Sequence, residues 1–70
     1  MEVRKGDRFT FLAQRGEWVV FEVIDIVITV CPWLCVTTIE YKYENEEENH
    51  KREAWEFAVL MREKRIVRFE

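Results

Sequence analysis

The groups able to do chemistry in this 70-residue chain are two cysteines, one histidine and two carboxylates set in an apolar run. Cys31 and Cys35 bracket Pro32-Trp33-Leu34. Structural zinc takes four ligands in a tetrahedral array. His50 is the single histidine, so the set falls short, and neither a metal nor a cofactor is assigned. The CxxC spacing of dithiol redox sites is also missing. If the two cysteines flank a tight bend and face each other, their Cα atoms come to about 5.5 Å, the separation of a disulfide. The alternative is a pair of thiols that act as small hydrophobes. A serine nucleophile is excluded because the chain contains no Ser. His50 follows the acidic run Glu44-Asn45-Glu46-Glu47-Glu48-Asn49, with no evident residue to orient its ring. Glu22 and Asp25 would have raised pKa values if buried, but two carboxylates in an apolar strand read more simply as the outer side of a kink. These residues point away from an enzyme.

The elements that must carry these groups are organised by one run, Trp18 to Tyr43, which is strand-forming except at Pro32. It reads as a long β-hairpin bending at that proline. Glu22 and Asp25 have opposite parity, so a regular one-sided strand cannot send both to solvent. Either a bulge or kink lies between them, or the strand is covered on both faces. A strand this long in so small a protein has to bend, which favours the kink. A three-residue loop at Pro32-Trp33-Leu34 sets Cys31 opposite Cys35 and pairs Thr29 with Thr37, Val27 with Ile39, Asp25 with Tyr41 and Val23 with Tyr43. Such loops prefer a Gly in left-handed conformation, which is absent here, and a different loop length moves every pair.

Around the hairpin, Phe9 to Ala13 alternates as a short strand within about 8–14, entered by a turn at Gly6-Asp7 and left at Arg15-Gly16. A further short strand is expected at His50 to Glu53 and a last one at Arg65 to Phe69. Between them, Ala54, Phe57, Ala58 and Met61 recur at helical spacing among good helix formers, so residues 54–62 are read as one short helix in preference to a continuing strand.

Composition bounds the class. The chain is 49% hydrophobic with ten aromatics, 36% charged, and has only two Gly and one Pro, which excludes a disordered composition. Seventy residues make a single domain over 1–70, too small for a large interior pocket. The apolar block carries Glu22 and Asp25, and no basic leader precedes an apolar segment, so neither membrane spanning nor secretion is expected and the cytoplasm is the default. The few amides, Gln14, Asn45 and Asn49, beside abundant Glu, Lys and Arg fit a thermophilic source.

This order of elements, and in particular Trp55, Phe57, Leu60 and Met61 followed by the basic strand Ile66 to Phe69, resembles an SH3-like small β-barrel. The resemblance implies a mainly β fold: a small antiparallel barrel of about five strands with one short helix or helical turn near 54–62, its first and last strands side by side. The acidic loop and paired surface tyrosines of signalling SH3 domains are missing, so recognition of proline-rich peptides is not implied. Folds of this kind host unrelated functions, and function has to be read from a site.

Two binding readings follow. Both faces of the second strand are apolar, more than a small monomer covers. Ile24, Ile26, Ile28 and Val36, with Trp33 and Leu34 at the tip, are therefore expected to meet a protein partner or a second copy of the chain. The bland alternative for Trp33 is that it caps an open end of the barrel. The second reading uses charge. Residues 17–50 carry net −7 while residues 1–16 and 51–70 carry +2 each. Arg4, Lys5, Arg8, Arg62, Lys64, Arg65 and Arg68 could then share one side and attract nucleic-acid phosphates.

Overall fold

In the computed structural model, which describes residues 3–69, five strands and one helix follow in order: β1 (Arg8–Leu12), β2 (Trp18–Cys31), β3 (Leu34–Tyr43), β4 (Asn49–Glu53), α1 (Ala54–Arg62) and β5 (Ile66–Arg68). Every pairing is antiparallel, in one sheet of order β4-β3-β2-β1-β5. The protein is thus mainly β, with one short helix where the sequence periodicity places it. First and last strands are neighbours: Phe9 lies opposite Arg68 and Phe11 opposite Ile66.

The expected closure into a barrel does not occur. Strands β4 and β5 end the sheet on opposite sides and are not paired with each other among the described residues. Helix α1 occupies the ground between them, packing on β3, β4 and β5 and setting Phe57 into the concave face. There Phe57 meets Phe9, Phe21 and Tyr41 with ring centroids 5.6–6.2 Å apart, in edge-on geometry. Val23, Ile39 and Ile66 complete the buried core. A void bordered by this cluster, beside Phe11, Arg52 and Leu60, has about 10 Å³, too small for a substrate.

The helix forms here because its ends are satisfied locally. Glu53 and Glu56 make a reciprocal capping box at its start, each side chain accepting from the other's backbone N–H. At its end Lys64 takes a left-handed φ of 59°. Its N–H donates to Met61 O at 3.1 Å and the Arg65 N–H to Leu60 O at 2.9 Å. That pair of bonds is the Schellman closure, usually given to Gly.

The hairpin differs from expectation in two linked ways. Its loop has two residues, Pro32 and Trp33, with Cys31 opposite Leu34. Neither takes a positive φ, so the turn is not of the primed type usual for two-residue hairpin loops. Shortening the loop by one residue replaces every expected pair: Thr29 faces Val36, Val27 faces Thr38 and Ile26 faces Ile39. A bulge then intervenes between Val23 and Asp25, so that Val23 faces Tyr41 and Phe21 faces Tyr43. The extra residue, Ile24, reverses the parity of β2. Phe21 and Val23 point into the core on one side of it and Ile26 packs against the core on the other, while Glu22, Asp25 and Val27 are exposed. The bulge is thus what lets two carboxylates of opposite parity both reach water. Val27 lies outside because of it.

Candidate functional site: the distal hairpin arm

Strand β1 pairs with β2 only over Trp18–Glu22, and β4 pairs with β3 only over Thr38–Lys42. Beyond those limits β2 and β3 continue as a two-stranded ribbon to the Pro32-Trp33 turn. Fourteen residues at about 3.3 Å each make β2 roughly 46 Å long, which accounts for the 42 Å long dimension of the molecule. Two-stranded ribbons are marginal on their own in water.

The arm is also apolar. Ile28 is 63% exposed, Val30 74%, Trp33 87% and Leu34 57%. Single exposed apolar side chains are ordinary, but here four of them lie together along one ribbon. No charged residue lies between Ile26 and Ile39. Ile28 and Val30 extend the face on which Ile26 and Ile39 meet the core, together with Cys35 and Thr37 across the ladder. Val27, Thr29, Leu34 and Val36 take the other face.

Of the residues expected to bind protein, Trp33, Leu34 and Ile28 are therefore exposed on the arm. Val36 is half-buried and, by its pairing with Thr29, lies on the face opposite Ile28. Ile26 is tucked against the core, and Ile24 is the half-buried bulge residue. The expected residues thus do not share one face, because the bulge and the two-residue loop set both parity and register. Trp33 caps no barrel end. Val30 and Trp55 were missed; the alternation of Ile26, Ile28 and Val30 could have signalled the first.

Cys31 and Cys35 do not face each other. Cys31 lies opposite Leu34 and Cys35 opposite Val30, so the two alternate to opposite faces of the ribbon, and both thiols are free and exposed. A bond between them within one chain is ruled out by that parity. Cys31 Sγ instead lies 3.2 Å from Leu34 O.

At the base of the arm, where β4 ends and α1 begins, there is a notch of about 480 Å³ lined by Leu34 to Thr37, Glu53, Ala54 and Trp55. The Trp55 indole N–H donates to the Glu53 carboxylate, which fixes the ring beside the notch while leaving it 63% exposed.

The basic residues fall into two groups. Arg4, Lys5 and Arg8 lie near the end of β5 that carries Arg68, whereas Arg62, Lys64 and Arg65 lie in the last turn of α1 and the turn into Ile66 at the other end of that strand. Arg8 pairs with Glu44, and its guanidinium lies 4.6 Å from the Phe69 ring centre. Arg68 binds Asp7 at 2.9 Å and lies over Phe9. The Arg68 hydrogen bond, with help from the Arg4 backbone N–H, holds the Asp7 carboxyl below its ordinary range. The first and last strands thus balance part of their own charge.

His50 stacks on Tyr41 at 5.5 Å and lies 3.2 Å from Glu46. Burial pushes the neighbouring Tyr43 phenol up, with Tyr41 adding to the effect. Hydrogen bonding to Tyr41 and the charge of Glu56 raise Arg52. Arg52 and Glu56 lie 3.1 Å apart. The groups hold the β4–α1 corner together. Among the described residues no group of three or more His, Cys, Asp or Glu could hold a metal, and no helix is long and apolar enough to cross a membrane.

Comparison with protein-family models, curated proteins and solved structures finds no match to this chain. The arm is therefore read from its own geometry.

Proposed function

We propose that this protein is a non-catalytic interaction and assembly module whose working part is the distal hairpin arm. The observation that carries the reading is the ribbon beyond the four-strand overlap, uncharged and with Ile28, Val30, Trp33 and Leu34 more than half exposed. Folding alone gives no reason to extend β2 and β3 past their neighbours with Ile, Val and Trp, because those residues gain their burial energy only when something covers them. Aromatic anchors set among aliphatic side chains are also the usual energetic centre of protein interfaces.

Nucleic-acid binding through Arg4, Lys5, Arg8, Arg62, Lys64, Arg65 and Arg68 is the weaker reading. The set is divided between the two ends of β5, and Arg8 and Arg68 are engaged with Glu44 and Asp7.

The test compares the wild type with Ile28→Thr/Val30→Thr and Trp33→Ser, following an environment-sensitive apolar dye and the association state together. The wild type should either bind the dye at the arm or bury the arm in an assembly, and the variants should lose both while keeping the circular dichroism of the fold. A wild type that neither associates nor binds dye would remove the proposal.

A further inference from the structure

One edge of the arm is built to accept another strand, and its directions can be worked out from the ladder. The Glu44 N–H donates to Val20 O at 3.0 Å, which marks the facing residues Phe21 and Tyr43 as a pair without mutual hydrogen bonds. Odd-numbered residues of β3 therefore turn their backbone N–H and C=O away from β2, towards β4. Strand β4 stops with Glu53 opposite Thr38. Past that point Cys35 and Thr37 continue the outward row with no strand opposite them among the described residues.

The outer strands of the sheet carry charges of the sort that deter strand addition. Lys51 and Arg52 lie in β4, and Arg68 in β5 with Arg65 just before it. Both edges of the arm, Ile26–Cys31 of β2 and Leu34–Thr37 of β3, are uncharged, and of the two only the β3 edge lines the notch. It forms one wall of the notch whose other wall is Glu53, Ala54 and Trp55, and the same chain carries an 87% exposed Trp33 two residues before Cys35.

We infer that the occupant of this edge is a second copy of the same chain, paired antiparallel about a two-fold axis beside Cys35, with Trp33 of each copy seated in the notch at Trp55 of the other. The inference rests on the arm being an interaction surface. A two-fold axis at Cys35 makes the two contacts equivalent, as closed dimers require. It ends the incoming strand at Trp33 beside Thr37 and Ala54, at the mouth of the notch and one position short of Glu53. The two Cys35 backbones exchange both of their outward hydrogen bonds, and the two half-sheets join into one. Charge permits it, since the paired segments are neutral and an acidic chain of net −3 brings no like charges together at this edge. Area permits it as well. Trp33 and Trp55, 87% and 63% exposed, offer about 300 Å² at about 200 Å² per aromatic side chain, more than a third of the ~800 Å² per partner found in stable interfaces, with Ile28, Val30 and Leu34 adding to it.

The geometry has a covalent readout. Cα atoms of directly opposed, hydrogen-bonded residues lie about 5.5 Å apart, inside disulfide range. Mild oxidation by a copper–phenanthroline complex under air, in which oxygen takes the two electrons and two thiol protons are released, should join two chains through Cys35. The variant C31S, which keeps Cys35, should give a dimer on a non-reducing gel; C35S, which keeps Cys31, should not. In sedimentation, Trp33→Ser should weaken dimerisation at least tenfold. Thr37→Pro should also disrupt it, because that N–H points away from β2 and its loss spares the hairpin ladder; Thr37→Lys serves as the check should the proline variant misfold. High salt should leave the dimer intact, since no ion pair holds it.

A dimer that cross-links through Cys31, or that survives both Thr37 substitutions, overturns edge pairing while leaving the arm as an interaction surface. A wild type that remains monomeric with the arm still binding apolar dye also overturns the second copy as occupant, and leaves an unlike partner for the arm. A dye-silent monomer overturns both.

Discussion

At the scale of single residues, the strongest departures from ordinary choice are at helix and turn ends. Lys64 sits at φ 59°, in the left-handed region that costs a side chain with a Cβ roughly 1–2 kcal/mol. Lys64→Gly is accordingly expected to stabilise the protein by about 1 kcal/mol, after allowing for the greater entropy that Gly loses on folding. A shift of the denaturation midpoint to higher urea at constant slope would show it. Asp7 offers a pH test. Its carboxyl is held below the ordinary 3.8 by the Arg68 hydrogen bond first and the Arg4 backbone N–H next. A depressed folded-state pKa means stability that is present above the unfolded value and lost as pH falls through the folded one. Wild-type stability should therefore fall on acidification below about pH 4, by more than that of Asp7→Asn, in urea titrations at a series of pH values. Equal acid dependence in the two proteins would show that the ion pair contributes nothing.

At the scale of elements, the helix is anchored by its first turn. Glu53→Ala removes half of the capping box as well as the acceptor for the Trp55 indole. It should cost about 1 kcal/mol, read by urea denaturation. The same elements show how far the sequence was legible. The strands and the short helix follow from alternation and from the spacing of Ala54, Phe57, Ala58 and Met61, while the β1–β5 pairing was expected only from the resemblance to small barrels. The kink between Glu22 and Asp25 follows from their incompatible parity. The loop length was not legible. Pro32-Trp33-Leu34 accommodates two readings that differ by one residue, and that single step decides whether Cys31 faces Cys35 or Leu34. Nor was the position of the bulge, and with it the face of Val27 and of Ile26, because both are β-branched apolar residues suited to either side of a strand. Tertiary placement settles these points: Phe57 from the helix needs Phe21 and Tyr41 on its side of the sheet.

At the scale of the whole molecule, the sheet stays open because a nine-residue helix, where a tight turn would have brought β5 onto β4, fills the gap between its ends. An open sheet keeps free edges, and the longest uncharged one lies on the arm. The core is compact and closed to ligands, while much of the exposed apolar surface is gathered around an extended hairpin and the notch at its base. That division of labour, a small self-sufficient core holding out an unpartnered ribbon, is what makes assembly the reading best supported by the geometry. It also makes the ribbon the least stable part of an isolated chain, since local opening is cheapest where backbone hydrogen bonds are exposed and few contacts surround them.

The most direct measurement is amide hydrogen exchange at Cys35 and Thr37, followed in dilute and in concentrated protein. In the dilute monomer both N–H groups face water and should exchange far faster than those of Phe21 and Ile39. In concentrated protein the Cys35 amide becomes bonded to the second copy and the Thr37 amide is covered by its Trp33, so both should slow by at least tenfold while the core amides stay unchanged. Rapid exchange at both positions at every concentration, with the core protected throughout, would contradict the account.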